Sequence, residues 1–91
     1  MYLHIGHDTM IETRSIVAIL NKNLMDQSPE VRQMVHRLNG DGALSGDLSE
    51  AKTLILTATG IVLSSISATT LYKRAAKGGG EAAAGMWYTE I

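Results

Sequence analysis

The sequence predicts a small α/β (α+β) domain of order ββαββα with antiparallel hairpins. Three observations predict it. Two pairs of short apolar runs are each broken by a glycine-containing turn, in "YLHIGHDTMIETRSIVAIL" and in "KTLILTATGIVLSSIS". Each pair is followed by one amphipathic stretch with a helix-start signal. The chain has 91 residues, enough for one domain and one modest core. We read residues 1–77 as that domain and 78–91 as a glycine-linked C-terminal tail.

"YLHIG" (2–6) reads as the first strand, with Leu3 and Ile5 on one face and Tyr2 and His4 on the other. "GHD" supplies the turn, because glycine tolerates positive φ and Asp bonds its own backbone. Residues 11–20 then read as one second strand, antiparallel to the first. Its later half is apolar on both faces, with Ile16, Ala18 and Leu20 on one and Val17 and Ile19 on the other. Such a strand is covered on both sides. Val17, Ile19 and Ile55 are therefore expected in the core or in an interface between copies.

"SPEVRQMVHRLNG" (28–40) is the clearest helix. Ser28 is a good N-cap, Pro29 fits the first helical position, and Glu30 meets the positive end of the dipole. Val31, Met34, Val35 and Leu38 form one stripe, and Asn39-Gly40 ends it. Residues 41–50 read as an irregular connection. The second hairpin follows, with arms at 52–58 and 61–67 and a turn at Thr59-Gly60. Ser67 caps a last helix over 68–77, where Leu71 and Ala75 dock and Lys73, Arg74 and Lys77 face outward. Three glycines at 78–80 stop it, each costing about 1 kcal/mol in helix propensity relative to alanine. In the tail, "MWYTEI" is either a strand pairing with a sheet edge or a neighbour, or a free terminus. A protein surface is the favoured anchor for Trp87 and Tyr88.

Composition narrows the function classes. Apolar residues make up 45% of the chain, with no Phe and one Trp. That is more aliphatic surface than a small single core uses, which favours a homo-oligomer. The formal net charge is −1, so no bulk field announces nucleic acid. The basic residues Lys73, Arg74 and Lys77 cluster on one helix without an acid among residues 68–77. With no cysteine, disulfides and thiolate metal sites are excluded. No apolar run approaches the roughly 18–20 residues of a membrane span, and no secretory signal is recognisable, so the expected location is the cytoplasm.

His4, His7 and Asp8 in "HIGHD" are the residues a metal-motif scan would flag. Residues three apart on a strand point to opposite faces, so no metal is assigned. Met10, Met25 and Met34 read as core or interface filler. There is no phosphate loop, nucleophile elbow or compelling carboxylate pair. The expectation is a protein that is not an enzyme, with neither a cofactor nor a small-molecule substrate.

"MYLHIGHDTMIETRSIVAIL" together with "SSISATTLYKRA" resembles the RemA/RemB family of small bacterial biofilm-matrix regulators, its RemB branch more closely than its RemA branch. The resemblance covers residues 1–22 and roughly 51–76. It implies a small α/β domain that closes into a ring-like homo-oligomer and regulates transcription of extracellular-matrix genes. In the RemA branch the ring surface binds DNA, in a manner likened to LytTR-type domains, and an arginine at the start of the second strand contacts it. That arginine falls on Arg14. The resemblance also implies a basic turn before the third strand. Here "GDLSEAK" (46–52) puts Asp47 and Glu50 there and leaves only Lys52. Candidate DNA contacts are thus Arg14, Lys52, Lys73 and Arg74. The alternative is an oligomeric scaffold or protein-partner module with little DNA affinity, which Asp47 and Glu50 favour because carboxylates repel phosphate.

Overall fold

A computed structural model describes residues 2–6, 8–78 and 87–88. Strands β1 (Tyr2–His4) and β2 (Met10–Glu12) form an antiparallel ribbon, with Leu3 opposite Ile11. Gly6 and Asp8 take positive φ in its turn, as expected of those residue types. A 3-10 turn, Thr13–Ser15, leads into β3 (Ile16–Asn21). Helices α1 (Leu24–Gln27) and α2 (Pro29–Gly40) follow, then β4 (Leu44–Ser45), β5 (Thr53–Thr57), β6 (Gly60–Ser64), α3 (Ala68–Gly78) and β7 (Trp87–Tyr88). The second sheet has the order β4-β6-β5-β3-β7. Its three central strands are antiparallel, while the outer β4 and β7 run parallel to their neighbours.

Residues 11–20 depart from the expected single strand. Only three residues pair with β1 before the chain turns, and the rest joins the other sheet. The Ser15 hydroxyl donates to the Glu12 carbonyl at 2.7 Å, the local side-chain bond that lets Ser compete with a strand ladder. A register shift between Ile16 and Ala18 then marks a β-bulge. One inserted residue reverses the facing of all that follow. Ile16 and Ile19 therefore enter one core and Leu20 packs against the other. Val17 stays 47% exposed.

The predicted helices stand where their caps put them. The Ser28 hydroxyl accepts from the Val31 N–H at 3.3 Å, and Val35 is buried on the expected stripe. The Ser67 hydroxyl likewise accepts from the Thr70 N–H at 3.3 Å, with Leu71 and Ala75 fully buried. The second hairpin turns over Ala58 and Thr59, one residue earlier than expected. Gly60 (φ 153°) is instead the first residue of β6, where a Cβ would run into the Ala43 carbonyl oxygen. That carbonyl accepts from the Ile61 N–H at 2.9 Å. The close approach pulls the 41–50 connection in as β4, a strand its glycine-rich composition concealed.

The central sheet is covered on both faces. Leu3, Ile5, Ile16, Ile19, Ile55, Ala68, Leu71 and Ala75 pack between it, the ribbon and α3. Val35, Ala51, Leu54, Ile61 and Leu63 pack on the other side with Met25, Val31, Met34 and Leu38 of α1 and α2. Consecutive Leu54 and Ile55 thus serve opposite cores, each worth about 1.5–3 kcal/mol when fully buried. The aliphatic content that looked excessive for one core is divided between two. Of the large apolar side chains among the described residues, those left exposed are Tyr2, Met10 and Val17. Met10 is therefore not core filler. No helix among the described residues is long and apolar enough to cross a membrane.

Candidate functional site

Strands β3 and β5 set the frame for the candidate cations. Ile16 lies opposite Thr57 at one end of the pair, and Asn21 opposite Thr53 at the other. At about 3.3 Å per residue these ends are roughly 15 Å apart. Arg14 precedes the first end and Lys52 the second, so a single copy does not bring them together.

Arg14 stands exposed in the middle of the 3-10 turn. Its guanidinium has no hydrogen-bond or ion-pair partner among the described residues, so Glu12 does not take it. Beside it Thr13 is buried, and its hydroxyl oxygen has no hydrogen-bond partner among the described residues. The turn thus presents a permanent cation on a segment whose own polar needs are incompletely met.

Strand β6 runs from Gly60 at the Arg14 end to Ser64 at the Lys52 end, and α3 follows, packed on the central sheet and the ribbon with Lys77 in its last turn. Lys73 and Lys77 are exposed, without side-chain partners among the described residues. Arg74 is engaged differently. Its guanidinium donates to the His4 carbonyl at 3.2 Å, fastening α3 to β1 while the side chain stays exposed.

The Lys52 end is closely tied. The backbone N–H of Lys22 donates to the Lys52 carbonyl at 3.0 Å, and that of Lys52 to the Ser64 carbonyl at 2.8 Å. The ammonium of Lys22, a residue the sequence reading did not single out, donates to the Leu48 carbonyl at 2.7 Å. No sequence signal marked it, because its role depends on where the 47–50 loop folds. Within that loop the Asp47 carboxylate accepts from the Ser49 N–H at 2.9 Å and its hydroxyl at 2.7 Å. Lys52 and Lys22 border a cleft of about 510 Å³ with Asn21, Asn23, Asp26 and Ser67. Asp47 and Glu50 border a second, of about 290 Å³, with Gly6, Thr9 and Ser65.

The remaining residues sort plainly. Ile19 and Ile55 are core, and Val17 is at the surface. His7 lies outside the described residues. Among those described, no group of three or more His, Asp or Glu side chains is placed to hold a metal ion. Trp87 and Tyr88 form β7, in register with Ala18 and Ile19 of β3. The rest of the tail, 79–86 and 89–91, lies outside the described residues.

A family model, RemA-like, described as extracellular matrix regulatory protein A-like, matches residues 2–75. The match runs through the middle of the chain, stops within α3, and does not single out the RemB branch. No curated protein matches the chain.

Proposed function

The chain belongs to the RemA-like family of extracellular matrix regulatory protein A-like proteins, and from that premise we propose that it is a DNA-binding transcriptional regulator of biofilm-matrix genes, of the RemB branch. In this reading it acts in the cytoplasm, without enzymatic chemistry, as a ring-like homo-oligomer that holds the DNA backbone through repeated cations. The observation that carries the reading is Arg14, an always-charged side chain on an exposed turn with no partner among the described residues. Lys73 and Lys77, exposed on α3, would add to the cations of each copy. Arg74 contributes from α3 while it holds β1, and Lys52 stands apart at the far end.

One Arg14 per copy is a weak ligand. Repeated around a closed assembly it is multivalent, and phosphate contacts made at once add steeply. At roughly 6–10 such contacts, affinity falls about 10³–10⁵-fold between 50 and 200 mM salt. Phosphate contacts fix position without reading bases, so selectivity would lie in DNA shape. A salt-titrated DNA-binding assay on the wild type and Arg14→Ala tests this. The mutant is expected to keep the particle mass, lose most binding, and show a shallower salt slope. Unchanged binding would remove Arg14 from the account.

A second reading is an oligomeric scaffold or protein-partner module. Asp47 and Glu50 in the loop before β5 favour it, since they put negative charge near Lys52. Absence of wild-type binding at about 50 mM salt, where phosphate attraction is strong, would select it.

A further inference from the structure

The central sheet ends on both sides in a two-residue strand. On one side β4 (Leu44–Ser45) runs parallel to β6, and on the other β7 (Trp87–Tyr88) runs parallel to β3. Very short outer strands are one of the ways proteins blunt sheet edges that would otherwise add further strands. The two caps differ in what they cover. β4 is part of the family-matched region, and Gly46 follows it directly. β7 lies beyond residue 75, where that match stops, and is joined to α3 through residues 79–86, which begin with two glycines.

Under β7 lies β3, "IVAILN". It carries no charge, no proline and no glycine over six residues, and four of the six are β-branched or leucine. That combination is the signature of a segment that pairs with copies of itself when exposed. Edge strands usually protect themselves with lysine, proline or inward charges, and β3 has none of these. Its bulge at Ile16–Ala18 is its own protection, and Val17 there is 47% exposed. β7 covers two of the six residues, Ala18 and Ile19.

We propose that β7 is a detachable guard on the outer edge of β3, and that the uncovered edge takes β3 of a second copy. The occupant follows from the strand itself, because the same uncharged six-residue edge is present on each chain and a strand paired with its own copy makes a self-complementary contact. A two-residue ladder held by an appended tail opens more easily than a strand within the sheet. Release of β7 therefore frees Ala18 and Ile19 and completes the six-residue edge as a self-association surface. This inference is independent of DNA binding and of any ring.

The test uses the full chain carrying Trp87→Pro and Tyr88→Pro together, since proline cannot donate to a ladder and residues 1–78 stay unchanged. Sedimentation velocity over a concentration series is compared with amide hydrogen exchange along Ile16–Asn21. The expected result is faster exchange along β3 at low concentration, with a species of twice the wild-type particle mass growing as concentration rises. Faster exchange without added mass would overturn the proposal, because the opened edge then recruits nothing. Added mass with unchanged exchange would overturn it as well, because association then runs through another surface. No change in either measurement would mean β7 guards nothing. A monomeric wild type would sink the ring reading and leave this comparison intact, because the result is read against the wild type.

Discussion

The two ends of the β3–β5 pair are built on opposite plans. At the Lys52 end, five hydrogen bonds from Lys22, Lys52, Thr53 and Ser64 knit the sheet, the 47–50 loop and the ribbon together. At the Arg14 end, a one-turn 3-10 segment leaves a guanidinium, and a buried threonine hydroxyl, without partners among the described residues. The lesson is about where a small domain keeps its capacity for contact. The tied end has spent its polar groups on holding three elements in place. The loose end keeps an exposed cation, Arg14, that another molecule can satisfy.

Three substitutions test that contrast by their effect on stability. The largest loss is expected for Ser64→Ala. Its hydroxyl donates to the buried Ile5 carbonyl at 2.7 Å and accepts from the Ile66 N–H at 3.0 Å. Removing it strands both groups, at about 1–3 kcal/mol, read as a lower denaturant midpoint with unchanged slope. A loss under about 0.5 kcal/mol would mean the tied end is less committed than its geometry implies. Next comes Thr13→Val, with the opposite sign. Replacing an unpartnered buried hydroxyl with a methyl group removes a desolvation penalty, so a gain of about 1 kcal/mol is expected. Destabilisation by that amount would show that the hydroxyl has a partner in solution, and would point to a second molecule at this end. The smallest effect belongs to Arg14→Ala, within about 0.5 kcal/mol of the wild type. A larger loss by thermal or chemical unfolding would make Arg14 structural and end its candidacy as a free ligand.

Much of this frame was legible in the sequence, for reasons that are local. Ser28-Pro29 and Ser67 mark helix starts because capping needs only neighbouring residues. The alternation in "KTLILTA" marks a strand because one pleat sets it. The failures lie where a distant group decides. Thr13–Ser15 breaks the long apparent strand because the chain must leave the ribbon for the other sheet. The bulge at Ile16–Ala18 reverses the faces of β3, so Val17 and Ile19, read as alike, end up at the surface and in the core. β4 exists because the Ala43 carbonyl approaches Gly60 across the fold. The tail's strand option was readable, and β7 does pair at the sheet edge. Its partner strand and parallel direction were not.

The candidate site divides in the same way. Residue type identified Arg14, Lys52, Lys73 and Arg74 as cations worth following. Their placement was hidden, because the roughly 15 Å between Arg14 and Lys52 depends on strand register. Arg74's bond to the His4 carbonyl spans 70 residues of sequence, and Lys22's bond to Leu48 spans 26. Neither leaves a trace in local pattern.

The bond from Ser64 to Ile5 has a consequence for the order in which the molecule assembles itself. It joins positions 59 residues apart, whereas β5 and β6 meet across a two-residue turn. Closing the longer loop costs on the order of 2 kcal/mol more in chain entropy than closing a turn of a few residues, and contacts of large sequence separation are slow to form. The hairpin of β5 and β6 is thus the natural early nucleus. The N-terminal ribbon, carrying Arg14 at its exit, is then expected to dock after that hairpin has formed.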